Sequence, residues 1–209
     1  MQSVQSAFVR PMPNRDRGAG PELARRAVEA GAFVAIAHPQ WSGLTMNDAR
    51  SIETAHAVEI YNHGCAMGCD RADGACVMDL LLSEGRALNA IATDDAHFTE
   101  PDHFGGWVMV RAEQNDPDLL LEALKNGHYY STQGPEIRDI SYDDKTITIK
   151  SSAVSSMIVQ GQGSAAVALH GEAMTKGTIN LGRFHNYPWI RVTLIDRAGK
   201  RAWSNPIWK

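Results

Sequence analysis

An apolar run from Asn89 to Ala92 stops abruptly at Asp94, Asp95 and His97. A short run of this kind, bounded by polar residues, reads as a strand buried on both faces, as in parallel sheets. Asp95 and His97 are two apart, so they share a side if the extended conformation continues. A carboxylate and an imidazole at the C-terminal end of a buried strand stand where α/β folds place their chemistry. The competing reading makes the Asp pair a turn cap and His97 a surface residue.

The preceding chain repeats this arrangement. Pro21 to Ala30 reads as a helix, with Pro at its start, Leu23, Ala27 and Val28 at helical spacing, and Gly31 as its stop. Phe33 to Ala37 reads as a strand, cut off at His38 by Pro39. Asn47 is expected to cap a short helix from Asp48 to about Thr54. Ala57 to Tyr61 reads as the next strand, ending in Asn62, His63 and Gly64, and a Gly- and Cys-containing connection leads to a helix over Ala75 to Ser83. After the 94–106 loop, Trp107 to Arg111 reads as a strand and Asp116 to Asn126 as a capped amphipathic helix. Alternating helix and strand over 21–127 predicts a helix-wrapped parallel sheet. Three of its strands end in ligand-type residues: His38, then Glu59 with Asn62 and His63, then Asp94, Asp95 and His97.

Beyond residue 135 the pattern changes. Glu136–Tyr142, Thr146–Ser151, Ser156–Gln160, Thr178–Leu181 and Trp189–Ile195 are short runs with β-branched residues, separated by Gly and Asp turns. Alternation in Thr146 to Lys150 gives one wet and one buried face. This predicts an antiparallel β domain, a small sandwich. His170 and His185 have no carboxylates at ligand spacing and read as surface or structural residues.

Charge follows the same division. Residues 1–134 hold 10 Lys/Arg against 18 Asp/Glu, whereas residues 135–209 hold 10 against 6. The acidic half suits a carboxylate-bearing metal site and argues against a nucleic-acid backbone as partner. No apolar run approaches the roughly 18 residues of a membrane span. Residues 1–20 carry Arg10, Arg15 and Arg17 without an apolar core, and read as a flexible tail rather than a signal. Three cysteines (Cys65, Cys69 and Cys76) match no zinc-knuckle spacing. They read as reduced thiols in a cytoplasmic protein.

Histidines with carboxylates, and no clustered cysteine ligands, suit zinc, manganese or iron at a hydrolytic centre. Such a centre brings a bound water to a pKa near 7 and polarises the scissile group. Asp94, beside Asp95, is placed to orient a ligand or take a proton.

Ala37-His38-Pro39, Glu59-Ile-Tyr-Asn62 and Thr93-Asp-Asp-Ala-His97 resemble the later metal motifs of the PHP (polymerase and histidinol phosphatase) superfamily. Gly127-His-Tyr-Tyr-Ser-Thr-Gln-Gly-Pro135 and Arg201-Ala-Trp-Ser-Asn-Pro-Ile207 are similar to its branch that includes carbaryl hydrolases and carries a C-terminal β domain. The resemblance covers roughly residues 20–209. It implies an α/β fold: the C-terminal part of a distorted (β/α)7 barrel over 21–134, then a small antiparallel β-sandwich-like domain over 135–209. It implies divalent metals (zinc, manganese or iron) on His38, Asp95 and His97, with Glu59 a further ligand and Asp94 in the catalytic role. Asn62, His63, His103 and Trp107, with Trp41 and Phe98 nearby, are then expected around the substrate. The implied activity is hydrolysis of a small phosphoester, or of an ester or carbamate, by metal-activated water. The alternative is a non-catalytic scaffold that binds metal weakly or acts through its β domain. The superfamily's opening His-x-His strand has no counterpart, because no histidine precedes His38. A partial barrel has an unpaired edge, so self-association, or a partner completing the barrel, is expected.

Overall fold

The computed structural model describes residues 19–209, so the expected tail lies almost wholly outside the described residues. Helix α1 spans Ala19–Glu29, and Gly31 (φ 91°) turns the chain out of it. Strand β1 is only Ala35–Ile36, shorter than expected, because His38 adopts a φ of 29° and Pro39 follows. Helix α2 spans Met46–Ser51; its cap is Thr45, in a reciprocal capping box with Asp48, and not Asn47. Strand β2 is Ala57–Asn62.

The chain then turns directly into α3, His63–Cys69, where the sequence suggested only a connection. Helix α4 (Ala75–Ser83) and strand β3 (Asn89–Thr93) complete the unit. The three strands form a parallel sheet in the order β1-β2-β3, with Ala35 opposite Ala57 and Val58 opposite Ala90. Val58, Ile60, Ala90 and Ala92 are buried in one cluster with Met78, Leu81 and Leu82 of α4. Each large side chain removed from water there contributes on the order of 2 kcal/mol.

Strand β4 (Trp107–Val110), helix α5 (Pro117–Lys125) and strand β5 (Tyr129–Thr132) follow. Asp116 caps α5 by accepting the Asp118 and Leu119 N–H groups. The remaining strands are β6 (Ile137–Tyr142), β7 (Thr146–Gly161), β8 (Ala166–Asn180), β9 (Trp189–Ile195), β10 (Arg201–Trp203) and β11 (Ile207–Trp208). Strand β4 pairs antiparallel with β5, so antiparallel structure begins at Trp107, ahead of the expected boundary at 135.

All eight strands join one curled sheet, a half-barrel, rather than two packed layers. The path is β4-β5-β10-β9-β7-β6, with β8 on β7 and β11 on β9. The two short strands expected at 146–151 and 156–160 are one 16-residue strand. Its first part pairs with β6 and its last part with β9, and register shifts lie between Lys150 and Ser156. Extra residues at such irregularities bend a strand and raise its twist. The bend lets one strand serve both ends of the curl.

The two sheets are joined through side chains. Trp189 and Trp203 are buried in the same cluster as the parallel sheet and α4. Along β3, Ser131 Oγ accepts the Ala92 N–H and donates to the Ala90 carbonyl, both at 2.9 Å. Asn205 Oδ1 accepts the Ala90 N–H, while its Nδ2 donates to the Gly127 and Tyr129 carbonyls. On β4, burial alternates so that Trp107 and Met109 stay exposed on one face. No helix among the described residues is long and apolar enough to cross a membrane.

Candidate metal centre

The ends of β1 and β3 are where the backbone departs most from ordinary conformations. His38 (φ 29°) and Asp95 (φ 52°) both lie in the left-handed region, which costs a non-glycine residue energy and clusters at functional sites. The extended conformation therefore ends at Thr93 and does not carry through Asp95 to His97. Even so, His38, Asp95 and His97 line one cavity of about 500 Å³. Trp41, Cys65, Cys69, Glu100 and Asp102 share its walls.

Beneath the cavity lies Glu59, only 4% exposed. Its carboxylate accepts from the His38 backbone N–H, the Thr93 hydroxyl and Asn62 Nδ2. One buried anion thus ties together the ends of all three parallel strands. The expected ligand is placed as a tie, and it is not among the cavity-lining residues.

Asn62, expected near the substrate, is fully buried, and its amide is occupied. Its Oδ1 accepts the Cys65 N–H at 2.7 Å as the cap of α3. Its Nδ2 donates to Glu59 and, at 3.1 Å, to Asp95 Oδ2. Burial and full hydrogen bonding correct the substrate-binding expectation: Asn62 orients Asp95.

The 94–106 loop is built on two further carboxylates. Asp94 accepts the Phe104, Gly105 and Gly106 N–H groups at 2.6–2.8 Å. The residue expected in the catalytic role is thereby committed to closing the loop, and it does not line the cavity. Asp102 accepts the His97 N–H at 2.8 Å and the Phe98 N–H at 3.3 Å, with His97 Nδ1 at 3.6 Å. These N–H groups, His97's first, hold the Asp102 carboxyl below the usual carboxylate range.

His63 is not at the cavity either. Its Nδ1 meets the Tyr61 hydroxyl at 2.9 Å, and a Cβ on Gly105 would fall 2.1 Å from its ring. This packing corrects the substrate-binding expectation for His63. His103 is exposed between Phe98 and Phe104, and Trp107 is an exposed strand residue; neither lines the cavity. Trp41 does, with its ring 4.9 Å from that of His38.

The sequence reading missed Asp102 and the two thiols. Asp102 has a local signal, a carboxylate five residues after a ligand-type histidine. Cys65 and Cys69 have one only once α3 is known, since four residues apart on a helix means one face. Burial, then Cys69, Asp95 and Glu59, pushes the Cys65 thiol up to about 11.

By kind, the cavity's imidazoles and carboxylates are donors that zinc, manganese or iron accept. By placement they are separate: His38 Nδ1 turns to Ser42 Oγ at 2.7 Å, and His97 is 71% exposed. Among the described residues no group of three or more His, Cys, Asp or Glu is placed so that it could hold a metal ion. A metal would therefore have to draw these donors together. Comparison of the chain with protein-family models, curated proteins and solved structures finds no match.

Proposed function

We propose that this chain carries the strand-end portion of a divalent-metal hydrolase site of the PHP type, with a small phosphoester as substrate and an ester or carbamate as the variant chemistry. The observation that carries the reading is the meeting of His38 and Asp95, both on left-handed backbone, with His97 around one cavity at the ends of parallel strands. Zinc, manganese or iron held there would supply an activated water and polarise the scissile bond. Within the chain, Glu59 fixes the backbone of His38, Asn62 orients Asp95, and Asp102 holds the backbone of His97. Because these donors do not converge, no catalytic step is derived through a metal.

The second reading is a scaffold of the same ancestry that binds metal weakly and acts through its β sheet or a partner. It is favoured by the engagement of Glu59 and Asp94 in structural hydrogen bonds.

Metal content of the purified chain after incubation with zinc, manganese or iron, beside His97→Ala and a nitrophenyl phosphate assay, separates the two. The hydrolase reading expects stoichiometric metal and phosphate release in the wild type and loss of both in the variant. Equal metal in the two proteins defeats it. Metal without turnover selects the scaffold.

A further inference from the structure

We propose that Cys65 and Cys69 belong to the cavity's ligand set, making it a mixed sulfur, nitrogen and oxygen site that favours zinc or cobalt over manganese. This rests on the metal-binding reading above and specifies its ligands.

The placement of α3 carries the inference. The helix starts at Asn62, whose single side chain accepts the Cys65 N–H and donates to Asp95. The first turn of the helix and the carboxylate are thereby clamped to one buried amide. Gly64 lies on the end of β3: its N–H donates to the Asp94 carbonyl at 2.8 Å, and a Cβ there would come 3.1 Å and 3.2 Å from the Asp94 and Asp95 carbonyl oxygens. No bulk separates helix from strand end.

Cys65 and Cys69, one turn apart, face the same cavity as Asp95 and His97. The third cysteine, Cys76 on α4, is exposed and does not line it.

Two thiols, an imidazole and a carboxylate are a donor set that tetrahedral zinc accepts, and sulfur disfavours manganese. His97 and Cys69 are both exposed, so each is free to swing inwards on binding. Each thiol gives its proton to solvent as its sulfur binds the metal.

The test is a cobalt(II) titration of the full chain, followed by absorbance and by proton release. A near-ultraviolet sulfur-to-cobalt charge-transfer band is expected, erased by zinc and unaffected by manganese. Cys76→Ser keeps it, Cys69→Ser weakens it, and Cys65→Ser/Cys69→Ser abolishes it. Cys69→Ser alters an exposed side chain, so its result does not depend on the fold surviving a buried change. Visible bands of bound cobalt without charge transfer overturn thiol ligation and leave the metal-binding reading standing. Absence of any cobalt spectrum overturns both.

Discussion

Asp79 and Arg191, 112 residues apart, meet in a paired contact, with Nε to Oδ1 and Nη2 to Oδ2 each at 2.8 Å. Arg191 is 3% exposed and also donates to Gln160 and Thr193. The contact joins α4 of the parallel unit to β9 of the curled sheet. Asp79→Ala strands a buried guanidinium and is expected to cost about 3 kcal/mol. Asp79→Ala/Arg191→Met should recover most of that loss in urea denaturation. A single variant with unchanged stability would show that the contact does not hold the units together.

Gly105 and His63 give a second expectation. Alanine at 105 puts a methyl group into the His63 ring and should cost about 1–3 kcal/mol by overpacking. In a His63→Ala background the same change should cost far less. Equal losses in both backgrounds, measured as a double-mutant cycle, would remove the ring as the cause.

The third expectation concerns pH. His56 stacks on Phe33 at 5.5 Å, and its Nδ1 accepts the Val34 N–H. Burial, then the Lys125 charge, lowers its pKa from 6.5. The folded state thus favours neutral imidazole, and between the lowered and ordinary values the unfolded chain binds more protons. The associated stability is complete above the ordinary value and is lost as pH falls through it. Melting temperatures recorded from about pH 7.5 to about pH 5.5 should fall more steeply for the wild type than for His56→Asn. Parallel profiles would sink the assignment.

The strand ends were legible because apolar runs stop at His38-Pro39 and at Asp94, where both backbone and polarity change at once. Helix α3 was hidden, since Gly64 and Gly68 are poor helix formers and its start depends on a cap supplied by Asn62. The length of β7 was hidden by Ser151, Ser152, Ser155 and Ser156, which interrupt the alternation at the register shifts. The roles of Asp94 and Glu59 could not be read from spacing. Their partners are N–H groups and a hydroxyl brought 10 to 34 residues along the chain by the fold. A carboxylate that binds amides has the same sequence signature as one that binds a cation.

Ser131 and Asn205 have a consequence for how this molecule can meet others. By occupying the hydrogen-bonding groups of Ala90 and Ala92, they blunt β3 as a template, and a newcomer there would first have to evict them. The opposite flank, Ala35–Ile36, pairs only with β2 among the described residues. Any strand that enlarges the parallel sheet, from a second copy or from a partner, therefore docks beside β1. Growth in that direction is one-sided, and it places the newcomer next to His38.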